Sequence, residues 1–327
     1  NVFHEALHGV VCGCGETYEN NTGCPTSFPH ALLLGATFNR SLWREVGSAI
    51  STEARAFANQ GIVGLFFWAP DINLFRDPRW GRGQEVPGED PFLTGQYVME
   101  YSYHMQNGED TKYMKVVSTA KHYADYDQEG NYGTDRGSFD ANVTMQDQVE
   151  YYWPAWRTAI QTAKVQSIMC SYNAVNSMPS CGNDYFMNQV ARDEWGFDGF
   201  FVSDCGAIGD GAFTRYIQQT YPDDSQTVQQ YEQAKQAITA GCDTNCGSYY
   251  AQHLYDSVVN GYASEDDVDR ASRRLWSKTI ELGKLDFNPP SYYTTYGADK
   301  IDSSMHRSIA LSAAEQGIVL LKNDGIL

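Results

Sequence analysis

Asp204 follows directly on an apolar run, in the stretch Gly199-Phe200-Phe201-Val202-Ser203-Asp204-Cys205-Gly206, and further glycines stand at 209 and 211. Three consecutive apolar residues predict a short strand buried on both faces. A carboxylate at the end of such a strand is rigidly anchored, and the glycines after it bring little side-chain bulk to cover it. Asp204 is therefore placed to meet a ligand, the alternative being that it caps the following segment. Polar, chemistry-bearing residues recur at the ends of other predicted strands: Pro70-Asp71, Lys121-His122, Ser171-Tyr172-Asn173 and Asp243-Thr244-Asn245. Arg82 stands between Gly81 and Gly83, which would let its loop approach a ligand, and its planar fork of donors suits neighbouring hydroxyl groups. Lys121 and His122 are strand neighbours, so both reach one ligand only where the pleat breaks down.

The elements that must carry these residues alternate. Leu42, Val46, Ala49, Ile50, Ala54 and Phe57 recur at helical period, predicting a helix over 41–59 with Ser41 as its cap and Gly61 past its end. Strands are expected over 62–68, 113–120 and 165–171 and from 199, separated by helices over 92–106, 146–163 and 185–195. A helix over 227–240, a short strand in Cys242-Asp243-Thr244-Asn245-Cys246, and helices over 249–260 and 266–281 follow. Alternation of this kind argues for a parallel α/β sheet, open or closed. Polar residues at the C-terminal end of every strand favour a closed (β/α)8 barrel, TIM-like, since those ends then share one face. An open doubly wound sheet would furnish mainly its switch point, and no convincing Gly-x-Gly-x-x-Gly turn follows a strand. Composition changes after Gly283, and Pro289-Pro290 marks a linker. The expected domains are a barrel over 1–285, a linker over 286–302, and the start of a truncated second domain over 303–327, with a helix over 303–316 and a buried strand over 317–325.

The chain of 327 residues has 23 Lys plus Arg against 41 Asp plus Glu, a formal net charge of -18. That balance opposes binding to nucleic acid or to an anionic membrane surface. The longest apolar run, 61–69, stops at Pro70, well short of the roughly 20 residues of a membrane span. Eight cysteines without paired zinc-ligand spacing permit a disulfide framework. Together with glycosylation acceptors at Asn20, Asn39 and Asn142 they point to a secreted, extracellular protein. The 22 tyrosines and 7 tryptophans suit flat amphipathic ligands such as sugars, or an ordinary core.

The stretch RDPRWGRGQEVPGEDP (76–91), with LGATFN (34–39), KHY (121–123), MCSYNAVN (169–176), FVSDCGAI (201–208) and AAEQGIVLLKNDG (313–325), resembles glycoside hydrolase family 3 in motif order and spacing. EALHGV (5–10) and the cysteine after Asp204 resemble its β-xylosidase branch of fungi and plants. The resemblance implies that Asp204 is the nucleophile of a retaining glycosidase, forming a covalent glycosyl-enzyme. Arg82, Lys121 and His122 would hold the sugar, and Tyr172 would stack against or bond the nucleophile. Glu5 would set specificity: glucosidases of the family carry Asp there, and the extra methylene would crowd a hydroxymethyl group that a pentose lacks. The implied substrate is a xylo-oligosaccharide, cleaved from its non-reducing end. A β-glucosidase, an α-L-arabinofuranosidase or a non-catalytic sugar-binding relative are the alternatives. The C-terminal segment would open an α/β sandwich domain whose later part supplies the acid/base Glu. Cys205–Cys246 and Cys170–Cys181 are the implied disulfides. No metal and no cofactor is implied. Asp71 and Leu74 depart from the branch, which usually reads Asn and Pro, and the cysteine-bearing loop 11–24 is unfamiliar. No histidine occurs in 123–142, which argues against the family's N-acetylglucosaminidase branch.

Overall fold

The computed structural model describes residues 3–12, 23–130, 135–286 and 292–325. Six strands form the main sheet: β1 (Phe3–Glu5), β2 (Phe66–Trp68), β3 (Val117–Tyr123), β4 (Ser167–Cys170), β5 (Phe200–Ser203) and β6 (Cys242–Asn245). Every neighbouring pair is parallel, and the strands lie side by side in chain order. Strict sequential order is the barrel pattern, whereas a doubly wound sheet reverses at a switch point. The sheet also curls. Phe3 of β1 and Phe200 of β5 have ring centroids 6.3 Å apart, although four inter-strand steps in a flat sheet would span about 19 Å. The expected α/β barrel architecture is thus present, with six of its strands among the described residues.

Helices link the strands. The first long one, α1 (Arg40–Asn59), is capped by Asn39, whose side chain accepts from the Leu42 N–H, and not by Ser41. Its neighbour α2 (Pro91–Gln106) begins with Asp90 accepting from the Leu93 N–H and with Pro91 in the first turn, where a missing N–H costs nothing. Such caps contribute about 1 kcal/mol each. The helix expected over 146–163 is interrupted: a short turn at Met145–Asp147 widens to π geometry over Gln148–Tyr152 before α3 (Trp153–Gln161). Pro154 explains this, because it has no N–H for the carbonyl four residues back. The strand expected over 113–120 lies at Val117–Tyr123, beginning four residues later and ending three later. Hydropathy ended it before Lys121 and His122; both continue it because tertiary partners bury them. The strand expected over 62–68 is confined to Phe66–Trp68, the chain turning at Gly61, where φ is +75°.

After β6 the chain enters α4 (Tyr249–Val259) and α5 (Glu265–Glu281), the latter opened by a reciprocal capping box between Ser264 and Asp267. Beyond it, α6 (Ser304–Gly317) docks back onto α1. Glu53, wholly buried in α1, accepts from the Thr26 N–H (2.8 Å) and hydroxyl (2.6 Å) and the Asp302 N–H (2.9 Å), and bonds the His306 ring (2.7 Å). The buried strand expected over 317–325 is not formed. Ile318, Val319, Leu320 and Leu321 are exposed, and among the described residues no strand pairs with them; a strand cannot bury itself without a ladder partner. Cys170–Cys181 and Cys205–Cys246 are both disulfides. Of the three glycosylation acceptors, Asn142 is exposed, Asn39 is engaged as the α1 cap, and Asn20 lies outside the described residues.

Candidate active site

The C-terminal strand ends bring all six expected residues together. On β5, Asp204 ends the strand with its N–H bonded to the Cys170 carbonyl (3.0 Å) and leaves through a turn in which Gly206 has φ +84°. Its Oδ1 accepts from the Cys205 N–H (2.7 Å), while its buried Oδ2 has no hydrogen-bond partner. His122 Nε2 lies 3.5 Å from that free oxygen. The Tyr172 hydroxyl donates to the Cys205 carbonyl (2.8 Å), and burial together with the charge of Asp204 raises its pKa. Cys205, held to Cys246, ties the loop after Asp204 to the end of β6.

On β3 the register with β4 is irregular between Ala120 and Tyr123, and the Lys121–His122 bond is cis. The register irregularity breaks the pleat at Lys121 and His122. Lys121 Nζ reaches Glu5 Oε2 at 2.6 Å. Burial pushes the Glu5 carboxyl upward, opposed by Lys121 and Arg82. His122 is buried on all sides. Its N–H donates to Asn73 Oδ1 (2.8 Å), Asn73 Nδ2 donates back to its carbonyl (2.9 Å), and its Nδ1 lies 3.1 Å from Asn73 Oδ1 and 3.4 Å from Asp71 Oδ2. Burial, seconded by the cation of Arg82, pushes the imidazole well below its ordinary range.

Arg82 is clamped on both fork nitrogens by Glu85, at 2.9 and 2.6 Å, and stands 3.9 Å from Asp71 and over the Tyr126 ring. Burial works against its charge, but the Glu85 bond and the Asp71 carboxylate hold its pKa high. Gly83 serves packing: a Cβ there would meet the Phe75 ring at 2.1 Å. Gly81 stands in open space, so of the two flanking glycines only Gly83 is required by packing.

Sequence reasoning missed Asn73 and Glu85 as parts of the site, and Arg136, whose guanidinium lies 4.6 Å over the Tyr172 ring. Glu85 sits within the same unusual stretch as Arg82, which was signal enough; Arg136 gave none, since a surface arginine in a polar loop is ordinary. A cavity of about 270 Å³ opens beside Glu5, Arg82, Glu85 and Lys121, with His8 and His30 on its wall. A larger one, about 690 Å³, lies between α1 and the 292–309 stretch; the site is assigned by converging charge at the strand ends and not by cavity size. Among the described residues no cluster of three His, Cys, Asp or Glu side chains is arranged to hold a metal.

A carboxylate with an unspent oxygen, in a cluster that holds a lysine, an arginine, a histidine and three further acids, is chemistry for a polyhydroxylated ligand. The family model "Glycosyl hydrolase family 3 N terminal domain" matches residues 10–277, and the chain belongs to glycosyl hydrolase family 3. It is 40% identical, over all of its length, to the "Probable exo-1,4-beta-xylosidase" of Aspergillus terreus, and 41% identical over 98% of its length to the "Probable beta-D-xylosidase 6" of Arabidopsis thaliana. The chain spans 42% of the length of each. A solved family 3 exo-beta-xylosidase in complex with a xylobiose aziridine probe superposes with a TM-score of 0.89 at 39% identity, covering 99% of this chain and 41% of that one. Beta-glucosidase 3B of Thermotoga neapolitana, solved with glucose, gives 0.77 at 25% identity, covering 99% and 41%.

Proposed function

We propose that the chain carries the nucleophile and sugar subsite of a retaining, exo-acting β-xylosidase that removes xylose from the non-reducing end of xylo-oligosaccharides. The observation that carries the reading is the free Oδ2 of Asp204, buried at a strand end beside His122 in a site that also holds Lys121, Arg82 and Glu5. Asp204 Oδ2 attacks the anomeric carbon, and the bond from that carbon to the leaving oxygen breaks with its electron pair. Lys121, Arg82 and His122 are proposed to hold the sugar hydroxyls, and Tyr172 to orient Asp204 through the Cys205 carbonyl. Glu5, drawn to Lys121, closes the far side of the subsite and crowds the hydroxymethyl group of a hexose. The leaving oxygen takes its proton from a second carboxylic acid, proposed to be a Glu of a further α/β sandwich domain. Residues 1–285 would then be the barrel, 286–302 the linker and 303–327 the start of that domain. The names of its relatives support xylosides as substrates, and the two disulfides support a secreted, extracellular protein.

The test is covalent trapping. A dinitrophenyl 2-deoxy-2-fluoro-β-xyloside needs no protonation of its leaving group, so the chain should gain one fluoroxylosyl mass, on a peptide containing Asp204. Xylobiose should react slowly, because the missing acid is worth about 10²–10⁴-fold. Labelling elsewhere, or none, would remove Asp204 as nucleophile. Efficient cleavage of xylobiose by the chain alone would place the acid within it.

A further inference from the structure

Of the two acids of the cluster that the proposed chemistry does not use, Glu85 is spent on Arg82 and Asp71 is not. It is wholly buried. The extension of the β2–β3 pairing past Pro70 puts it beside Lys121: the Lys121 N–H donates to the Pro70 carbonyl (3.0 Å) and the Ile72 N–H to the Lys121 carbonyl (2.8 Å). Its Oδ1 accepts from the Asn73 N–H (3.0 Å), but its Oδ2 has no hydrogen-bond partner and looks at His122 Nδ1 from 3.4 Å. Asp204 Oδ2, equally unpartnered, looks at the opposite nitrogen of the same ring from 3.5 Å. Two unsatisfied carboxylate oxygens thus face one imidazole from its two sides.

A neutral imidazole has a single N–H. Nδ1 faces two acceptors, Asn73 Oδ1 and Asp71 Oδ2, and that N–H is drawn to them, leaving Nε2 as a bare lone pair against the Asp204 carboxylate. One more proton on the Asp71–His122 pair removes the conflict wherever it sits. As an imidazolium beside ionised Asp71, the ring carries an N–H on both nitrogens; as neutral His122 accepting from protonated Asp71, it carries its N–H on Nε2. We propose that Asp71 is a positioning residue that holds this shared proton, so that His122 turns an N–H toward Asp204 and the sugar only while the pair is protonated. The inference rests on Asp204 being the nucleophile. The charged groups facing the pair are Arg82 and Glu85 from the loop after β2, Lys121 from β3, Glu5 from β1 and Asp204 from β5, with Tyr126 edge-on to the ring. Burial, against the pull of Arg82 and Lys121, raises the Asp71 pKa, which favours keeping the proton. It is present at low pH and lost as pH rises.

The experiment measures the rate of fluoroxyloside trapping against pH for the chain and for Asp71→Asn and Asp71→Leu, with 15N NMR of the His122 ring assigned by His122→Gln. An asparagine can donate to Nδ1 at every pH. Asp71→Asn should therefore keep its rate where the parent chain loses activity at alkaline pH, being at least tenfold faster there relative to its own maximum. Asp71→Leu leaves Nδ1–H to Asn73 and should label at least tenfold more slowly throughout. Nε2 of the parent chain should lose a proton across the alkaline limb, and that of Asp71→Asn should not. Superposable pH profiles for the parent and Asp71→Asn, or an Nε2 that is bare at every pH, would overturn the proposal. The NMR arm needs no turnover and no leucine variant that folds: a titrating Nε2 without any label on Asp204 would uphold the pair and refute the nucleophile.

Discussion

Asp243→Ala should loosen the seam between β5 and β6 that carries Asp204. The Asp243 side chain, 1% exposed, accepts from Arg192 Nη2 (2.7 Å), Arg274 Nη1 (2.9 Å) and, where the β5–β6 register is irregular, the Phe201 N–H (2.8 Å). Burial raises the Asp243 pKa against both arginines, and burial lowers that of Arg192 to about 10 in spite of Asp243. Each charge is therefore costly where it stands, and its partner offsets the cost. Removing the carboxylate strands a guanidinium that is 8% exposed and an unpaired backbone N–H, which costs about 3–5 kcal/mol. For 327 residues the unfolding entropy is about 0.7 kcal/mol/K, so Tm should fall by about 4–7 °C in scanning calorimetry. Asp243→Asn, which keeps an acceptor for Phe201, should lose less. Adding Arg192→Met to Asp243→Ala should recover part of the loss, because the uncompensated charge goes with it. A fall below about 2 °C for Asp243→Ala, or no recovery in the double variant, would show that the ion pair does not hold the seam.

Asp125 is buried and its carboxyl is raised from 3.8 to about 7, chiefly by burial. The folded state keeps this proton up to about pH 7 while the unfolded state releases it near 3.8, so its contribution favours folding at low pH and is lost as pH rises through that window, by at most about 4 kcal/mol. Asp125→Asn, tolerated at φ +56°, should flatten the fall in Tm between pH 4 and 7; parallel Tm–pH curves would refute this. Under the proposed function, Glu5→Asp shortens the acid facing Lys121 and should raise the glucoside-to-xyloside ratio of kcat/KM on dinitrophenyl glycosides about tenfold, an unchanged ratio counting against the steric account. Replacing Cys205 and Cys246 by Ser opens a loop of 41 residues, worth about 4 kcal/mol of unfolded-state entropy, and should lower Tm by about 6 °C; an unaltered Tm would refute that role.

The exposed run Ile318–Leu321 and the buried pair Lys121–His122 show that burial is set by partners and not by hydropathy alone. Apolar residues over 317–325 read as a core strand, yet burial needs a neighbour, and a neighbour is a property of the fold. Lys121 and His122 read as a strand's exit, yet Glu5, Asn73 and Asp71, each far away in the chain, bury them within β3. Features with local causes were legible from the residues alone. The alternation of strands and helices, the exit of Asp204 from an apolar run into a glycine-bearing turn, and the gathering of polar residues at strand ends all follow from short-range periodicity and backbone freedom. What tertiary structure decided is how those ends face one another: strand order curls the sheet, the curl brings residue 71 against residue 122 and residue 122 against residue 204, and hydrogen bonds and charge depend on distances that no spacing in the chain encodes.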